Sequence, residues 1–157
     1  MLKKLQIIFN FLIFFFISIS ISKAELLKPQ SNINPSDVVR IQLQGLQKND
    51  FNYKDSGIEQ TWNFAHPKNR KVTGPLDNFK RMIKGDAYQM MINHLSHTIT
   101  QLGTGDNWAQ FEVIILDKEK IYHKFNWQVE KYSADGPLKD CWLTTVVSNP
   151  IPLGSSI

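Results

Sequence analysis

Hydrophobic positions recur along this chain with two different periods, and the change falls near residue 93. In the earlier part the spacing is helical: Val39, Leu43 and Leu46 stand at i, i+4 and i+7, and Val38 and Ile41 widen the stripe. Arg40, Gln42, Gln44 and Gln47 fall mostly off that stripe. Asn34 as N-cap, Pro35 at the first helical position and Asp37 in the first turn mark its start, so the spacing predicts a helix over 34–50. A second, shorter helix is expected over Gly57 to Ala65, with Ile58, Trp62 and Ala65 on one face and His66-Pro67 as its stop. Thr73-Gly74-Pro75 makes a turn, and Leu76, Phe79, Met82 and Ile83 mark a third helix closed by Gly85. Tyr88 to Met91 is a short apolar stretch with no readable period.

From Asn93 onward apolar and polar residues alternate. His94–Leu102, Trp108–Leu116, Ile121–Tyr132 and Cys141–Val147 read as four strands, and their short links favour an antiparallel meander. Helices followed by hairpins predict an α+β domain with the helices packed on one face of the sheet. Its expected span is 34–150, after a polar, loose lead-in at 25–33 and before a tail at 151–157. The expected inward sets are Leu95, His97, Ile99; Phe111, Val113, Ile115; His123, Phe125, Trp127, Val129; and Trp142, Thr144, Val146. Ile114 and Leu116 are also apolar, and the opposite register would turn Gln110 and Glu112 inward. The inner face so read carries two histidines and no carboxylate.

The first 24 residues change the charge picture. Lys3 and Lys4, the apolar run Ile7 to Ile21 and the small residues of Ser22-Lys23-Ala24 make a secretory signal with expected cleavage after Ala24. An uncleaved anchor is the alternative, but Asn10, Ser18 and Ser20 interrupt the run, which falls short of the roughly 20 apolar residues of a spanning helix. The expectation is export to the periplasm or beyond, with an organelle lumen as alternative, and no stable membrane span after cleavage. Taking Lys3, Lys4 and Lys23 from the 18 basic residues leaves 15 against 14 acidic ones, which removes the main support for a nucleic-acid partner. The dense basic stretch that remains is Lys68, Arg70, Lys71, Lys80, Arg81 and Lys84. With Cys141 as the single cysteine, neither an intramolecular disulfide nor a cysteine-based metal site can form.

The run Phe64-Ala65-His66-Pro67-Lys68-Asn69-Arg70, then Thr73-Gly74-Pro75-Leu76 and Phe79-x-x-Met82, resembles the family known as domain of unknown function 4864. Val39-Arg40-x-Gln42-Leu43, Asp55-Ser56-Gly57-Ile58 and Trp142-x-Thr144 extend the resemblance over roughly Pro35 to Val147. It implies a cystatin-like, nuclear transport factor 2-like fold, in which helices sit in the concave side of a curved antiparallel sheet and form a cone. It brings no catalytic motif. Some members of that superfamily, such as ketosteroid isomerase and scytalone dehydratase, are enzymes that use a buried Asp, His or Tyr; others only bind.

The expected function is therefore non-catalytic binding of a small apolar ligand or a protein partner, with no cofactor and no metal. The ligand pocket is expected at Leu43, Phe79, Leu95, His97, Phe111, Phe125, Trp127, Trp142 and Thr144. The alternative is a small lyase, isomerase or hydrolase in which His97 and His123 exchange protons and Tyr88 and Thr144 donate hydrogen bonds. The loop residues Asn69, Arg70 and Lys71 either contact an anion or acidic partner or tie the loop to neighbouring backbone. A homodimer through the outer sheet face would use Tyr122, Ile114 and Leu116.

Overall fold

The structure, a computed structural model, describes residues 25–155. The expected signal segment lies outside the described residues, as do positions 156 and 157 of the tail. Among the described residues, four α-helices precede a five-stranded antiparallel sheet that does not close: α1 Pro35–Gln47, α2 Ser56–Asn63, α3 Pro67–Thr73 and α4 Leu76–Ile83, then β1 Ser96–Thr104, β2 Trp108–Leu116, β3 Ile121–Lys131, β4 Trp142–Val147 and β5 Ile151–Ser155. The α+β class is thus as the periodicity implies. No helix among these residues is long and apolar enough to cross a membrane.

The Asn34 side chain accepts the Asp37 N–H at 2.9 Å and Pro35 opens α1, so the punctuation works as its residue types require. Val38, Val39, Leu43 and Leu46 are fully buried against the sheet. α2 crosses α1 at two glycines: a Cβ on Gly57 would stand 1.9 Å from the Gly45 carbonyl oxygen, so only hydrogen fits there.

His66-Pro67, expected only to stop α2, also starts α3. Pro67 takes the first helical position, and His66 Nδ1 accepts the Lys68 N–H at 3.1 Å. The untyped stretch before the sheet is a short 3-10 turn, Gln89–Met91. The lead-in expected to be loose is tied down. Gln60 holds the Leu27 peptide on both sides, accepting its N–H at 2.8 Å and donating to its carbonyl at 2.9 Å.

In the sheet, β1, β2 and β3 follow one another, while β4 and β5 share the remaining edge of β3. β4 pairs at Trp127 to Lys131 and β5 at Ile121 to Lys124. Residues 151–155, expected as tail, are therefore a fifth strand. Pro150 and Pro152 hide it in sequence, because proline is tolerated only where a strand lies at an edge.

The inward sets of β2 and β3 are buried as the alternation requires, which resolves the β2 ambiguity in favour of Phe111, Val113 and Ile115. Two corrections are needed elsewhere. Leu95 is 51% exposed and His94 is buried in its place, because Asn93 is left-handed (φ 56°) and β1 begins only at Ser96. Val146 is exposed, because a bulge at Thr145 shifts the β3–β4 register and turns Val147 inward opposite Trp127.

Candidate functional site

The bulge in β4 stands beside a cavity of about 290 Å³ between the helices and strands β3 and β4, partly open to solvent. Leu46, Phe79, Met82, Ile83, Met91 and Val147 supply apolar walls. Its polar lining is neutral: Gln42, Thr61, Asn69, Thr73, Thr144 and Thr145, with the Tyr88 phenol as the one titratable side chain among the lining residues.

These polar groups are held by one another. Trp127 Nε1 donates to Thr144 Oγ1 at 3.1 Å, Thr144 Oγ1 donates to Gln42 Oε1 at 2.6 Å, and Gln42 Nε2 donates to the Thr61 carbonyl at 3.0 Å. All four residues are buried, so a continuous chain of bonds fixes α1, α2, β3 and β4 around the cavity floor. The Thr144 backbone is also fully used. Its N–H donates to Phe64, and its carbonyl accepts from His66 N–H at 2.9 Å and Asn69 Nδ2 at 3.2 Å. Tyr88 Oη donates to the Val147 carbonyl at 3.3 Å, which pins the 3-10 turn to the bulged strand.

Of the pocket expected from sequence, Phe79, Trp127 and Thr144 line this cavity. Leu43, Phe111 and Phe125 do not; they are packed into the core cluster at 0–1% exposure. Leu95 is at the surface, and Trp142 is half-buried beneath the Lys131 ammonium, 5.1 Å from its ring centre.

The two histidines do not share a site. His97 and His123 flank Ile115 from opposite sides, and each has its own partner. His97 Nδ1 is 2.7 Å from His94 Nε2, and His94 Nδ1 is 2.7 Å from the Met91 carbonyl. Burial, with a smaller push from His97 and against the pull of the Met91 carbonyl, lowers His94 to about 4, so its ring is neutral. His123 Nε2 is 2.8 Å from Asp117 Oδ2, while its buried Nδ1 has no hydrogen-bond partner among the described residues. The inner face therefore does include a carboxylate. Burial pushes Asp117 up, but hydrogen bonds from Ile121 N–H, His123 and Glu119 N–H outweigh it and hold the group below its ordinary value. Neither pair lines the cavity. No group of three or more His, Cys, Asp or Glu placed to hold a metal ion occurs among the described residues.

In the loop set, Asn69 faces the cavity while it holds Thr144, and Arg70 donates to the Asn63 carbonyl at 2.5 Å with its guanidinium 5.5 Å from the Trp62 ring. Lys71 points to solvent. Two residues that matter were missed in the sequence. Gln42 lies four residues after Val38 and four before Leu46, inside the apolar stripe, and that position is the signal of a buried polar group with a dedicated partner. Asp117 was hidden by its place in a turn.

No family model, curated protein or solved structure matches the chain.

Proposed function

We propose that this protein binds a small, mainly apolar ligand in the cavity between its helices and sheet, and performs no reaction on it. The observation that carries this reading is the lining itself: apolar walls, a few fixed neutral hydrogen-bonding groups, and no carboxylate, imidazole, ammonium or guanidinium among them. The Tyr88 phenol is the one lining group of ordinary acid–base reach, and its hydroxyl is already donated to the Val147 carbonyl; the lining threonines have no imidazole, carboxylate or amine beside them in the lining to activate them as nucleophiles. The volume is about twice that of an apolar cavity of roughly 150 Å³ that admits benzene, which suits a ligand of two fused rings or a medium alkyl chain. Thr73 and Asn69, whose donors are already used on the Asn69 and Thr144 carbonyls, have oxygens able to accept a hydrogen bond from one polar end.

The same reading takes the sheet to be the cone implied by the resemblance to domain of unknown function 4864. Helices on one sheet face and three register shifts, of the kind that curve sheets, support it. Export is supported by the basic start and apolar run that precede Glu25. A homodimer through the outer face has Tyr122, 37% exposed, to build on.

Titration with 1-naphthol, followed by the emission of Trp127 against a Trp127→Phe background, tests the reading. Saturable uptake with Kd on the order of 10 μM is expected, and Ile83→Trp, which places an indole in the cavity, abolishes it without unfolding the protein. Equal uptake by the blocked variant, or none by the parent, would remove this site from consideration.

A further inference from the structure

We propose a second binding site, for a pyranose sugar, in the polar cleft of about 510 Å³ between the β1–β2 turn and the β3–β4 connection. It shares no lining residue with the apolar cavity and does not depend on it.

Trp108 is its centre. This residue opens β2 opposite Glu130 on the outward-facing set of the strand and leaves 42% of its surface exposed. The ring lies against the backbone of its own turn. A Cβ on Gly105 would fall 2.5 Å from the indole Nε1, and one on Gly103 would fall 3.3 Å from the ring. Two glycines thus let the indole rest against the turn, supported on that side and open to solvent elsewhere. Such a ring is a stacking platform set before any ligand arrives.

The walls are equally fixed. Gly105 N–H donates to the Trp108 carbonyl at 2.8 Å, and Lys131 N–H donates to the Asn107 carbonyl at 2.9 Å, which ties the turn to β3. Across the cleft, Asp140 N–H donates to the Tyr132 carbonyl at 2.8 Å from a left-handed backbone (φ 62°). Asp106, Asn107 and Asp140 are exposed along the rim. Glu130 accepts from Gln128 Nε2 at 2.7 Å and from Thr145 Oγ1 at 3.3 Å, both on Oε1, so Oε2 is not drawn into that row.

A pyranose has the complementary chemistry. Its axial C–H bonds make one face apolar enough to stack on an indole, and its equatorial hydroxyls each donate and accept in the ring plane. Carboxylates take pairs of hydroxyl donors, and the Asn107 amide both gives and takes. The cleft carries Asp106, Glu130 and Asp140 against Lys131, whose ammonium already stands over Trp142. That balance excludes acidic sugars and favours neutral or amino sugars.

The test is an NMR titration of the folded protein, which follows the Trp108 indole N–H, assigned by its loss in Trp108→Phe. Methyl glucopyranoside, glucosamine and galacturonate are the probes. Saturable shifts are expected for the first two, with Kd on the order of 1 mM, and none for galacturonate. Gly105→Ala displaces the ring without removing a polar group and should weaken binding about tenfold; Asp140→Asn, which tolerates the left-handed backbone, should do likewise. Both variants should keep the parent's urea midpoint. The proposal is overturned by the absence of saturation up to about 100 mM sugar, by equal binding of galacturonate, or by unchanged binding in both variants.

Discussion

His94 and His97 meet ring to ring at the start of the sheet, with centroids 4.9 Å apart, and the bond between them couples the tautomers of the two rings. If the Nδ1–H of His94 donates to the Met91 carbonyl, its Nε2 accepts from His97; a proton on Nε2 reverses that bond, turns His97 to its other tautomer and charges a buried ring, and the burial of that charge is the main cost. The folded state holds His94 at about 4, whereas an unfolded chain would titrate it near its ordinary 6.5. A depressed histidine means that the unfolded state binds more protons in this window. The stabilisation is fully present above pH 6.5 and is lost as pH falls from 6.5 through 4, in total about 3 kcal/mol. His66 and His97, also lowered by burial, act in the same direction. Asp117 acts in a separate window, because its depressed carboxyl contributes above its ordinary value of 3.8 and weakens only in stronger acid. Urea unfolding at pH 7 and pH 4 should show the loss, and His94→Gln should lower stability at pH 7 but flatten its dependence on pH. An equal slope in parent and variant would show that His94 is not the titrating group.

At the scale of elements, the crossing of α1 and α2 rests on backbone contact. A Cβ on Gly57 would lie 1.9 Å from the Gly45 oxygen and 2.8 Å from Asn49 Cα, and neither obstacle is a side chain that can rotate away. Gly57→Ala must therefore separate the helices, and Gln42, Thr61 and Asn49 would lose the bonds that span them. A loss of more than about 3 kcal/mol in denaturant unfolding is expected. Gly45→Ala meets its neighbours only at 3.2–3.3 Å and gains helix propensity, so its expected change is within about 1 kcal/mol. Helix α1 and strands β2 and β3 could be read from sequence because each has one wet face and one dry face over many residues. α3 could not, since seven residues with none buried carry no stripe. The β4 assignment failed at one point, the Thr145 bulge, after which every side chain changes face. The cavity was legible in part. Phe79, Trp127 and Thr144 belong to the pocket expected from sequence, but the space between them depends on where α3 and α4 dock, which no local pattern encodes.

The whole molecule is organised on β3, which pairs with β2 along its length on one side and with two separate strands on the other. β4 guards the half that faces the apolar cavity, and β5 guards the half that carries His123. Every residue of β5 is exposed, so it contributes little apolar burial; its value lies in the hydrogen bonds it closes and the edge it covers. Removal of residues 151–157 should therefore leave the core, α1 and the cavity folded. The cost should be modest, about 1–2 kcal/mol, as for a few backbone hydrogen bonds exchanged for water. The larger effect should be on association. Ile121 to Lys124 would become an unpaired strand edge in the middle of a sheet, and such an edge recruits another chain unless charge or proline protects it. Lys124 offers partial protection, but its ammonium is turned toward Glu112, 3.6 Å away. Analytical ultracentrifugation of the truncated protein should show concentration-dependent dimers that the intact chain does not form by this route, and Tyr122→Pro in the truncated background should suppress them. If truncation changes neither the urea midpoint nor the sedimentation, β5 is an ornament on the sheet, and the boundary of the domain lies at Pro150.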